Sequence, residues 1–220
     1  MMKKGVIIFI SLTMAICAFE SCKSKEEKAA ELIKKELSKT LYDFDSYQPI
    51  ETIVKEAKVN AYNDTSCWEK ASLLGYGFSK LDEYYDDATE AREHMNIWGR
   101  PSYYSSTYSN NQYYKYRNKF KDAVTNINQS IAIINYIAHE LNDSIATLDT
   151  TQIVGWEVLH DFRCKTRGGS PEIGHYRYVI SKDFKTILLC EDTESEKDNQ
   201  TREALESVLD GWTDLEPLNL

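Results

Sequence analysis

The chain has 220 residues, with 26 Lys or Arg, 35 Asp or Glu and a formal charge of -9. Apolar residues make up 42% and charged residues 28%, a globular balance that excludes a disordered or collagen-like chain. The acidity argues against a nucleic-acid partner, which needs a basic face, and five cysteines are too few for a small disulfide scaffold.

Met1, Met2, Lys3 and Lys4 make a short basic start, and Gly5 to Phe19 follows without a charge. About 15 such residues fall short of the roughly 20 needed to cross a bilayer core, so residues 1–21 read as a secretory signal peptide. Phe19-Glu20-Ser21-Cys22 resembles the lipobox of a bacterial lipoprotein, with small Ser21 before the cut and Cys22 as the acylated residue. Glu20 departs from that motif. Cys17, behind bulky Ile16, is a rival, and a soluble secreted protein cut nearby is the alternative. Lys23 stands where inner-membrane retention would place an aspartate, and Glu26 and Glu27 loosely resemble surface-export signals. The expectation is an exported outer-membrane lipoprotein facing the periplasm or the cell surface. Its membrane partner is reached through N-terminal acyl chains, each buried CH₂ contributing about 0.8 kcal/mol. Loss of Lys3, Lys4 and Glu20 leaves the remainder one unit more negative, so anionic headgroups repel it.

Lys25 to Leu41 predicts a helix with Ala29, Leu32, Ile33, Leu37 and Leu41 on one face. Asp43 to Ser46 breaks it. Tyr47 to Val59 alternates in two short stretches that differ in phase, which predicts a strand with a bulge, and Pro49 predicts an edge position. Two series then step by four and three. The first is Cys67, Ala71, Leu74, Phe78, Leu81, Tyr85, Ala88, Arg92 and Met95. The second is Tyr116, Phe120, Ala123, Ile127, Ser130, Ile134, Ile137 and Leu141. This spacing keeps one helical face on one seam. With Gly99-Arg100-Pro101 and a Ser/Tyr/Asn-rich stretch to Gln112 between them, they predict an antiparallel hairpin of two helices roughly 45 Å long. Gly75 and Gly77 weaken the first helix by about 1 kcal/mol each, and leave room for another element to approach closely.

The last third reads as β. Val154, Trp156, Val158, Phe162 and Cys164 alternate with charged residues. Thr166 to Gly174 is a turn, Tyr176, Tyr178 and Ile180 begin a second strand, and Thr186 to Cys190 forms a third. Asp192 or Thr193 caps a final helix carrying Ala204, Leu205, Val208 and Trp212. The fold class is α+β: a small antiparallel sheet of about four strands, packed N- and C-terminal helices, and a long inserted antiparallel helical hairpin. The expected boundaries are a signal peptide at 1–21, an α+β body at 22–62 and 150–212, the insertion at 63–149 and a tail at 213–220.

Asp43-Phe44-Asp45-Ser46-Tyr47-Gln48-Pro49-Ile50, together with Arg163-Cys164-Lys165-Thr166-Arg167-Gly168-Gly169, resembles a group of uncharacterised Gram-negative bacterial lipoproteins. Members have a D-P-D-S-Y-x-P-I-like segment and a later R-x-K-x-x-G-G hairpin. Phe44 stands where that group has proline. The resemblance covers about half the chain, supports reading the hairpin as an insertion, and implies no activity or catalytic residue.

Catalytic patterns are absent from the sequence. No His-x₃-His or paired Cys-x₂-Cys spacing suggests a metal, and no cofactor is implied. Asp43-x-Asp45 begins like a calcium loop but puts Tyr47 and Gln48 where an oxygen ligand and a glycine are needed. Gly168-Gly169-Ser170 lacks a nucleophile elbow or a phosphate loop. Each of the four histidines reads as structural or surface. A symmetric turn puts Tyr176 between Cys164 and Cys190, roughly 9–10 Å apart and too far for a disulfide, so buried thiols are expected. Cys67 remains able to pair with either. Six tyrosines, Tyr103, Tyr104, Tyr108, Tyr113, Tyr114 and Tyr116, cluster at the predicted hairpin tip and form a candidate surface for a protein or glycan partner. The expected function is a lipid-anchored, non-enzymatic envelope binding module. The alternative is an envelope hydrolase with a carboxylate- or His-based site.

Overall fold

The computed structural model describes residues 23–219. Cys22 and residues 1–21, expected to be a signal peptide, lie outside the described residues. The elements run α1 (Lys25–Thr40), β1 (Asp43–Lys58), α2 (Thr65–Trp98), α3 (Thr107–Ala146), β2 (Ile153–Lys165), β3 (Pro171–Ser181), β4 (Ile187–Asp192) and α4 (Glu196–Leu209). The fold is α+β, as expected, with one four-stranded antiparallel sheet in the order β1-β2-β3-β4. Two compact units emerge from the packing: 23–58 with 151–194, and 59–150 with 195–219.

In the sheet unit, Ser24 and Glu27 form a reciprocal capping box that starts α1. That helix buries Ala29, Ile33 and Leu37 in one core with Val158, Phe162, Tyr178 and Ile180 of the sheet. β1 is an edge strand whose register slips between Pro49 and Glu51, because proline has no N–H to give the ladder. β2 and β3 pair without interruption from Gly155↔Ser181 to Lys165↔Pro171. β3 therefore starts earlier than the sequence predicts, and Gly174 is a strand residue rather than part of the turn. It sits opposite Phe162, where a Cβ would fall 2.6 Å from the ring's Cζ. The missing side chain is what lets the ring lie across the strand. On the other face of the sheet Arg177 is buried between two acids. Its Nε lies 2.5 Å from Glu191 Oε2 and its Nη1 lies 3.2 Å from Glu157 Oε1.

The helical unit is built on α2 and α3, of 34 and 40 residues, hence about 51 and 60 Å long at 1.5 Å per residue. Both exceed the expected length. Ser106 accepts a hydrogen bond from the Ser109 N–H and starts α3 at Thr107, inside the stretch read as loop. The seam buries Cys67, Ala71, Leu74, Leu81 and Ala88 against Ala123, Ile127, Ile134 and Leu141. Tyr85 and Arg92 are exposed instead, and Ala91 is buried. A strict alternation of four and three drifts off the face of a straight α-helix, which turns about 20° per heptad against it. The extra buried positions Gly75, Ile131 and Ala138 reflect a second packed neighbour.

That neighbour includes α4, which buries Thr201, Ala204, Leu205 and Val208. Its start also differs from expectation, since Ser195 rather than Asp192 or Thr193 is its N-cap residue. Grouped with the sheet in the sequence reading, α4 packs instead on the helical pair. The reason is Gly75. A Cβ there would lie 2.9 Å from the Gln200 carbonyl oxygen, so only glycine admits the α4 backbone this close. Ser79 Oγ also meets Gln200 Oε1 at 3.2 Å. The segment after α4 runs along α3: Leu215 packs on the helical core, and Trp212 lies against Phe78 with ring centroids 6.1 Å apart.

Gly75→Ala is therefore expected to destabilise the protein by about 1–3 kcal/mol, although alanine is the better helix former. At Gly77 the nearest obstacle is the Ile134 side chain, 3.0 Å from an added Cβ, and Gly77→Ala is expected to cost less. Urea unfolding of the two variants checks the order.

Candidate functional site

The six tyrosines do not form one cluster. Tyr103 and Tyr104 lie in the loop of residues 99–106 with 96% and 94% of their surface exposed, edge to face at 5.5 Å. Tyr108 is exposed on the first turn of α3 and stands edge-on to Trp98, 5.5 Å away. Tyr114 is exposed beside Tyr113. Tyr113 turns inward and lines a cavity of about 530 Å³ with Arg92, Met95, Asn96, Gly99, Arg100 and Phe120. Tyr116 stacks on His94 at 4.2 Å, with Lys115 and Lys119 over its ring. Four rings thus face solvent and two pack between the helices. The Trp98 indole N–H is buried and lacks a hydrogen-bond partner, a rare state for a buried donor.

The charge of this region is opposite to that of the chain as a whole. Residues 92–121 carry six Lys or Arg and a single acid, Glu93, within a chain of charge -9. Tyr, Trp and Arg are the residue types most enriched at binding hot spots.

In the sheet unit the histidines divide by face. His160 is fully buried on the α1 side. Its Nε2 meets the Tyr47 hydroxyl and its Nδ1 the Thr52 hydroxyl, both at 2.9 Å. A neutral ring satisfies both partners, donating to one hydroxyl and accepting from the other. Burial holds its pKa below the ordinary value. This is a structural histidine, as the sequence suggests. On the opposite face Glu51, Asp161 and His175 stand in register across β1, β2 and β3. His175 Nδ1 and Asp161 Oδ1 are 2.9 Å apart, and that bond raises the imidazole pKa. Together with Ile53, Leu159, Tyr176 and Thr193 these groups line a shallow cavity of about 280 Å³. The fixed imidazole leaves Nε2 directed away from Asp161, 3.9 Å from Glu194. The Thr193 hydroxyl donates to the His175 carbonyl, so it is held away from a nucleophile's role.

Cys67, Cys164 and Cys190 are free thiols. Cys164 faces Glu172 and Cys190 faces Tyr178, so the two are further apart along β3 than a symmetric turn implies. Cys190 is exposed rather than buried, because β4 is an edge strand. Burial pushes the Cys67 thiol up to about 12, which makes it unreactive. Among the described residues no group of three or more His, Cys, Asp or Glu is placed to hold a metal ion, and no helix is long and apolar enough to cross a membrane.

The two histidines carry opposite pH signatures. His160 binds a proton more weakly folded than unfolded, so its contribution is present above about pH 6.5 and is lost as pH falls through the depressed pKa. His160→Leu strands two hydroxyls and is expected to cost about 1–3 kcal/mol at pH 8, and less at pH 5. His175 binds its proton more tightly when folded, so its contribution is present below about pH 6.5 and fades as pH rises through the raised pKa. His175→Gln is therefore expected to cost more at pH 5.5 than at pH 8.5. Urea unfolding at paired pH values checks both signs. Comparison with protein-family models, with curated proteins and with solved structures returned no match.

Proposed function

We propose that this protein is a lipid-anchored binding module of the cell envelope, and that the end of the α2–α3 pair is its contact surface. The observation that carries the reading is the exposure of Tyr103 and Tyr104, held in water at the end of helices of 34 and 40 residues. Leaving large rings in solvent forgoes about 1.5–3 kcal/mol of burial for each, a cost that a partner surface recovers. The six basic groups of residues 92–121 favour an acidic protein segment or acidic glycan over a neutral one. The lipid anchor rests on Phe19-Glu20-Ser21-Cys22 alone.

One observation favours a second reading, an envelope hydrolase: the His175–Asp161 pair beside a cavity fits an imidazole oriented as a general base for water. Turnover of a chromogenic ester panel that disappears in His175→Gln would support it; no turnover by the unsubstituted chain removes it.

Two outcomes test the main reading. Replacing Tyr103, Tyr104, Tyr108 and Tyr114 by Ala is expected to cut recovery of envelope partners in a pull-down about tenfold or more, with the far-UV circular dichroism unchanged. Undiminished recovery removes the tip from the account. Cys22→Ser is expected to abolish metabolic labelling by a palmitate analogue, and persistent labelling would move the acylation elsewhere.

A further inference from the structure

Two asparagines of α3 hold the main chain of the segment that follows α4. The Leu215 N–H donates to Asn135 Oδ1 at 2.9 Å, and Asn135 Nδ2 donates to the Leu215 carbonyl at 3.0 Å. The Leu218 N–H donates to Asn128 Oδ1 at 2.7 Å, and Asn128 Nδ2 donates to the Leu218 carbonyl at 3.1 Å. Each carboxamide thus takes both main-chain groups of a single residue, a use open only to a side chain with a donor and an acceptor in one plane.

The spacings match. Residues seven apart on an α-helix share a face and are about 10.5 Å apart along the axis. Three residues of extended chain span about 10 Å. The segment runs opposite to α3 and is extended between the two clamps. Pro217 lies between them, has no N–H to leave unpaired, and biases Glu216 toward the extended region. Asn142 continues the row by a further seven residues and is exposed. Beside the row, His139 Nε2 lies 2.8 Å from Asp214 Oδ1.

Clamps on N–H and C=O groups read an extended backbone whatever its side chains, and selectivity comes from the side chains of the clamped residues. Here the side chains at the two clamps are Leu215, packed on the helical core, and Leu218, which stays 37% exposed. We propose that the Asn128–Asn135 face of α3 is a binding site for an extended polypeptide with two aliphatic side chains three residues apart, and that the chain's own segment around Leu215 and Leu218 occupies it as an exchangeable ligand. The site is separate from the tyrosine tip and does not depend on that reading. No helix or strand ladder holds the segment; the main-chain groups of Leu215 and Leu218 bond to these two asparagines. A second polypeptide of the same pattern presents identical groups to them.

A fluorescent peptide with the sequence of residues 212–219 tests this by anisotropy against the full chain. Leu215→Asp with Leu218→Asp in the chain is expected to release the resident segment and tighten peptide binding about tenfold or more. Adding Asn128→Ala and Asn135→Ala to that chain is expected to abolish binding, and a peptide with its two leucines made adjacent is expected not to bind. A folded Leu215→Asp, Leu218→Asp chain that binds the peptide no better than the unsubstituted chain overturns the proposal. So does binding that survives loss of both asparagines. Should the double-aspartate chain fail to fold, amide exchange in the unsubstituted chain decides. Leu215 and Leu218 are expected to exchange about a hundredfold faster than Ile131 and Ile134, by local release. Equal rates would mean that the segment leaves only when the unit unfolds, and the proposal falls.

Discussion

The helical unit depends on how closely α2 can be approached. Its buried positions are small: Cys67, Ala71, Gly75, Ala88 and Ala91, with Leu74 and Leu81 between them. Those of α3 are mostly larger: Ile127, Ile131, Ile134 and Leu141. Small against large allows the side chains of one helix to fill the hollows of the other at interior packing density. At Gly75 the reduction goes furthest, and the α4 backbone takes the space of the missing side chain. Once α4 is seated, the chain leaving it reaches α3 with Leu215 level with Asn135. The tyrosine tip and the asparagine row therefore share one support.

The sheet unit solves a different problem, the burial of polar groups. His160 carries two hydroxyl partners into the α1 core, and Arg177 carries Glu191 and Glu157 into the other face. Unpaired, each would cost several kcal/mol; paired, each fixes the register of the strands it joins. Thr52 sits directly opposite His160, and Glu191 directly opposite Arg177. The end of β1 pairs with the start of β2 at Lys58 and Ile153, so residues 59–152 leave and re-enter the sheet at one point. That closure allows a long helical excursion without disturbing the ladder.

Periodicity made the helices and strands legible, because burial imposes a repeat on the sequence. Pro49 marked the edge strand and its irregularity for a covalent reason, the absent N–H. Gly75 raised the prospect of a close neighbour but carried no sign of which one, and α4 was assigned to the sheet. Composition misled at the tip: Ser, Tyr and Asn read as loop, whereas Ser106 is an N-cap and the following residues are helical. Register was also beyond reach. A symmetric turn puts Cys164 opposite Tyr176, but β3 extends back to Pro171 and brings Glu172 there. The basic character of residues 92–121 was plain in the composition and hidden by the acidic total. The asparagine clamps left no trace, since two asparagines seven residues apart acquire meaning only when an extended chain lies beside them.

One continuous packed seam supports the tyrosine-bearing end of the helical pair. Near that end aliphatic packing gives way to aromatic packing, with Tyr116 on His94 and Tyr108 against Trp98. Amide hydrogen exchange along α2 and α3 tests the claim directly. Protection at Met95 and Tyr113 is expected to approach that at Leu74 and Ile134, with rapid exchange confined to the loop of residues 99–106. Open-chain exchange rates throughout residues 92–116, with protection only nearer the middle of the helices, would contradict it.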